Sequence, residues 1–107
     1  MGWAAIISAL LSVFGPILIK WIQEWLASRM SEIAASGSLP DIAGLSETDA
    51  KVAMLDAVLA DLPRHARVRK ALIKRMRATV LAHADGSPVT AAELDEVRGL
   101  SDAANGE

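Results

Sequence analysis

Hydrophobic positions are spread unevenly along the chain. From Trp3 to Leu26 it reads WAAIISALLSVFGPILIKWIQEWL, and no charge precedes Lys20. At about 100° per residue, Trp3, Ile7, Leu10, Phe14, Leu18, Trp21 and Trp25 fall on one helical face, flanked by Leu11, Ile17 and Ile22. The opposite face carries Ala5, Ala9, Ser12, Pro16, Lys20, Gln23 and Ala27. Small residues stand there in place of the Lys and Glu of an ordinary surface helix, so this helix needs lipid or close-packed neighbours. Pro16 lacks a backbone donor and its ring collides with the carbonyl four residues back. The pattern therefore predicts a long hydrophobic helix over residues 1–35, bent near Ser12 by Gly15-Pro16 but continuous.

After Met30 the pattern weakens. Ser36, Gly37, Ser38, Pro40 and Gly44 make 36–45 a linker, with Gly37 a natural helix terminator. Within it Leu39, Ile42 and Leu45 are expected to dock on something. Ser46 caps a second helix whose stripe is Val52, Leu55, Val58, Leu59 and Leu62, and Pro63 closes it. A third helix runs from Arg64 to about Ala84, with Val68, Leu72, Met76 and Val80 on one side. Thr90 and Glu93 form a capping box for a short last helix that uses Leu94 and Val97 and stops at Gly99. The fold class is all-α: the N-terminal helix plus a charged module over 46–100, then a disordered tail over 101–107.

Composition changes the picture in two places. All three tryptophans and the one phenylalanine lie in the first 26 residues, and no cysteine is present, which excludes disulfides and thiolate chemistry. The net charge of −2 hides a division: −1 over 1–45, −3 over 46–62, +7 over 64–77 and −5 over 78–107. Arg67, Lys70, Lys74 and Arg77 recur at spacings of three, four and three, a basic stripe suited to lipid headgroups or another anionic partner. The same stripe can instead be a solvated face that pairs with the acidic segments on either side. Nucleic acid is the less favoured partner, because nothing supplies aromatic stacking for single strands.

Three placements fit the opening helix. The uncharged run of about 17 residues sits at the lower edge of a transmembrane span. Trp3 and Trp21 would lie about 27 Å apart along a helix, close to the hydrocarbon thickness. The Lys20 and Arg29 charges would then place the module on the cytoplasmic side. Alternatively the helix lies in the membrane plane with Trp21 and Trp25 at the headgroups, or it is buried in protein, in an oligomer. It does not read as a signal peptide, because no basic residue precedes the run and tryptophans follow it.

Candidate chemistry is thin. His65 and His83 are too far apart on one helix to share a metal, and His83 beside Asp85 reads better as a helix C-terminal cap than as an acid–base pair. No phosphate loop, nucleophile elbow or calcium-loop spacing is present. The expectation is a non-enzymatic protein with no cofactor.

In layout, one N-terminal hydrophobic helix followed by a compact charged helical segment, the chain resembles small phage- or virus-encoded membrane proteins. Single-span holins and the minor structural proteins of lipid-containing virions are similar. The resemblance implies a membrane-associated protein that anchors or stabilises an assembly, with lipid or a hydrophobic protein as partner and oligomerisation expected. A soluble subunit of a helical oligomer and a membrane permeabiliser are the alternatives.

Overall fold

The computed structural model describes residues 2–37 and 41–107, and among these it is all-helical. Helix α1 spans Trp3–Phe14, a 3-10 turn spans Gly15–Ile17, and α2 spans Lys20–Ala35. Then follow α3 (Glu47–Asp61), α4 (Arg67–Ala82) and α5 (Ala91–Asn105).

The expected long helix is two helices. A continuous helix over 3–35 would be about 50 Å long, whereas the largest extent of the molecule is 36 Å. The cause is local. Pro16 cannot donate, so the backbone tightens: the Leu18 amide donates to both Phe14 O and Gly15 O at 3.2 Å. Leu18 and Ile19 then adopt extended conformations (ψ 141° and 151°), and a new helix starts at Lys20. The break falls after Phe14, not near Ser12. No helix among the described residues is long and apolar enough to cross a membrane.

The break resets the helical phase, so the single face projected across it does not exist. In α1 the buried side chains are Ile6, Leu10 and Phe14. In α2 they are Ile22, Leu26, Met30 and Ile33, which turns Trp21 off the core side and leaves Trp25 packed at the core's edge. These residues and Leu18 join Met54, Leu55 and Val58 of α3, Leu72, Ile73 and Met76 of α4, and Val97 and Ala104 of α5 in one hydrophobic cluster. The apolar opening stretch is thus packed with the charged module. Burial of such side chains stabilises by roughly 1.5–3 kcal/mol each.

Helix ends follow their sequence signals with instructive exceptions. Gly37 takes φ +70° and terminates α2, a left-handed position that glycine adopts without steric penalty. Ser46 Oγ accepts from the Asp49 amide at 3.1 Å, and Leu62 is extended ahead of Pro63 as expected. Ile42 packs against the core and Leu45 is exposed, while Leu39 lies outside the described residues. The last helix is not short. It passes through Gly99 to Asn105, because Val97, Ser101 and Ala104 continue a buried stripe at spacings of four and three. Residues 101–105, expected to be part of a disordered tail, are its last turns.

Helix α5 also serves two other helix starts. The Ile19 amide, at the start of α2, donates to the buried Ser101 Oγ at 3.1 Å. The N-cap residue of α4, Ala66, has no capping side chain, and the Glu107 carboxylate accepts from the amides of Val68 and Arg69 at 2.6 and 3.1 Å. An N-cap acceptor is thereby supplied from 38 residues away.

Phe14→Ala should lower unfolding free energy by about 3–5 kcal/mol, because it empties the centre of the cluster. Urea denaturation followed by circular dichroism checks this. An unchanged midpoint would place the first helix outside the core.

Candidate functional site

Two clusters of polar and aromatic side chains stand out. The first is where α2 and α4 begin. Trp21 is 45% exposed, Trp25 is half-buried at the edge of the core, and the Arg69 guanidinium lies over both rings. Its central carbon is 4.4 Å from the Trp21 centroid and 5.0 Å from that of Trp25, inside the range of cation–π attraction. The Arg69 Nε is buried without a hydrogen-bond partner, so the guanidinium is held chiefly by ring faces. Glu107, just past the end of α5, closes the cluster. Desolvation pushes its carboxyl up, but the Val68 and Arg69 amides and the Arg69 and His65 charges outweigh it, leaving the group below its usual range.

The structure divides the expected hydrophobic face. Leu10, Phe14 and Leu18 are core, Trp3, Ile7 and Trp25 are half-buried, and Trp21 alone of the set is exposed. The basic stripe is also divided. Arg77 donates to Asp56 of α3 at 2.7 Å, and its neighbour Arg75 pairs with Glu96 of α5. Among the described residues no carboxylate pairs with Arg64, Arg67, Lys70 or Lys74 within 4 Å, so part of the charge expected to pair internally instead faces solvent. Leu81, 43% exposed, lies on the same outward face of α4. The sequence reading missed Arg69. Its spacing of three, four and seven residues before Leu72, Ile73 and Met76 places it on the buried side of α4.

The second cluster joins the end of α4 to the start of α5. His83 does not pair with Asp85. Its Nε2 meets Glu93 Oε1 and Oε2 at 2.7 and 2.8 Å, and its Nδ1 meets Ser87 Oγ at 2.8 Å. Ser87 Oγ donates to Asp85 Oδ1 at 2.7 Å. With that hydroxyl proton committed, Nδ1 must donate to Ser87, and contact with the Glu93 carboxylate requires a proton on Nε2 as well. All these bonds form together only when the ring is an imidazolium. Glu93 meanwhile completes the capping box with Thr90.

Carboxylate, imidazole and hydroxyl in a row are the parts of a nucleophilic relay. The nearby amides are nonetheless engaged: Ser87 N donates to Asp85 Oδ1 and Gly86 N to His83 O. The arrangement works as a clamp between two helices. The Thr90 amide, His83 and the Thr90 hydroxyl hold the Glu93 carboxyl at about 2, against an ordinary 4.5. Asp85 is lowered too, first by the Ser87 hydroxyl and then by the Ser87 amide. Among the described residues no group of three His, Asp or Glu side chains is arranged to hold a metal. No family model matches the chain, and neither a curated protein nor a solved structure does.

A carboxylate with a depressed folded-state pKa adds stability that is complete above its unfolded value and is lost as pH falls through the folded one. The melting temperature should therefore fall as pH drops from 4.5 towards about 2. Glu93→Gln should flatten that fall. Parallel wild-type and variant curves across this window would contradict the clamp.

Proposed function

We propose that this chain is a non-enzymatic helical module that docks on the surface of an anionic membrane and there anchors or stabilises an assembly. The observation that carries the reading is the exposed Trp21 beside the Arg69 guanidinium, on a chain whose Arg64, Arg67, Lys70 and Lys74 have no carboxylate partner among the described residues. Tryptophan prefers the headgroup boundary, where its ring is apolar and its N–H can find a partner. Each Lys or Arg near an anionic leaflet contributes roughly 1 kcal/mol at low salt. Lys20, Arg64 and Arg67 lie near the starts of α2 and α4, the ends that Arg69 and the tryptophans join. On this reading the folded module lies against the lipid surface through Trp21, and the buried side chains of its opening stretch stay in its own core.

Sedimentation with vesicles of phosphatidylglycerol and phosphatidylcholine tests it. Wild type should bind these and not pure phosphatidylcholine, and should be released at about 0.5 M salt, where the Debye length is short. Trp21→Ala and the double variant Lys70→Glu/Lys74→Glu should each weaken binding by at least about tenfold. Equal binding to neutral vesicles, or none to either, would contradict the proposal. Release of an entrapped dye would favour the permeabiliser that the holin resemblance implies.

A second reading, a subunit of a helical oligomer, is favoured by the outer face of α1. Ala4, Ala5, Ser8 and Ser12 are exposed there, and no charge precedes Lys20. Backbones approach closely across such a surface. Light scattering should then report a mass above the monomer that Ser8→Glu returns to 11.3 kDa. A monomer at all concentrations would remove this reading.

A further inference from the structure

The end of α1, the first turns of α3, the end of α4 and the loop leading to α5 enclose a pocket of about 160 Å³ that the docking surface does not use. Val13, backed by the buried Phe14, forms one apolar wall, and Val80 and Val89 form another. The polar lining is Lys51, Thr48, Thr79, His83 and Ser87. Cavities of roughly 150 Å³ hold a benzene-sized molecule. We propose that this pocket binds a small monocarboxylate with a compact apolar body, of which benzoate is the simplest probe.

The chemistry of the lining selects that class. Thr79 is buried with its hydroxyl given to Arg75 O at 2.9 Å, so it offers no free donor. Both ring nitrogens of His83 are taken by Ser87 and Glu93, so its carbon edge and ring face remain to meet a ligand. The Glu93 carboxylate oxygens are occupied by His83 and by the Thr90 amide and hydroxyl. Lys51 is the remaining cation. Its Nζ meets Glu47 Oε1 at 3.2 Å in an i,i+4 pair with a half-exposed partner, a weak bond that an anion can replace. An apolar ring would lie against the half-buried Val13, Val80 and Val89, and its carboxylate would reach the Lys51 ammonium and the Thr48 hydroxyl. A polar or larger ligand would leave either the walls or the ammonium unmatched.

Titration of the full chain with sodium benzoate, followed by amide chemical shifts, tests the site. Shifts at Val13, Lys51, Val80 and Val89 should saturate with a dissociation constant of about 1 mM, a modest value set by ligand size. Benzyl alcohol should bind about tenfold more weakly, and Lys51→Met should cost benzoate about the same factor. Val89→Phe, on the loop side of the pocket, should abolish the shifts while the far-ultraviolet spectrum is kept. If that variant unfolds, Thr48→Leu, which fills the rim, must reduce affinity instead. No saturation by about 20 mM, or affinity unchanged in Lys51→Met, overturns the proposal.

Discussion

The break at Pro16 is the constraint on which the structure depends. Without it, the apolar stretch from Trp3 to Leu26 would form one rod too long for the small helices behind it to cover. The missing amide of Pro16 forces a 3-10 turn, and the extended Leu18 and Ile19 aim a second helix in a new direction. Ile6, Leu10 and Phe14 and then Ile22, Leu26 and Met30 come to line one core. The uncharged character that suggests a membrane span is satisfied by the chain's own α3, α4 and α5.

Helix α5 completes that arrangement. It holds the start of α2 through Ser101 and the start of α4 through Glu107, and its own start is clamped to the end of α4 through Glu93 and His83. Three helix termini therefore depend on α5 and the residues that directly follow it, and each bond joins segments distant along the chain or across a turn. Glu107 and Arg69 belong to the same corner as Trp21 and Trp25, so the exposed aromatic surface is set by core packing. A perturbation of α5 would be felt at that surface.

Local signals were legible in the residues. The Ser46 cap, the Thr90–Glu93 box, the stop at Gly37 and the closure before Pro63 all depend on neighbours within a few positions, and all four occur. Relations across the chain were not legible. Projecting one helical face through Gly15-Pro16 assumed a phase that the 3-10 turn destroys, and it grouped Trp21 with Phe14 although one is exposed and the other core. The last turns of α5 read as a polar tail because Ser101 and Ala104 are small. Their burial is visible only once Val97 is seen to start the same stripe. His83 found Glu93, ten residues away, in preference to nearby Asp85, because the loop brings the capping box back against the end of α4.

The surface that remains combines an exposed tryptophan, a guanidinium stacked on it and cations that no carboxylate among the described residues pairs, while the apolar mass lies inside. That division separates docking from insertion, and position-resolved quenching reads it most directly. Single-tryptophan chains retaining only Trp21 or only Trp3, the others replaced by phenylalanine, would be mixed with anionic vesicles containing brominated lipids. Surface docking predicts strong quenching of Trp21 by bromines placed near the headgroups and little quenching of Trp3 at any depth. Equal quenching of both would show the opening helices unfolding into the bilayer and contradict the account.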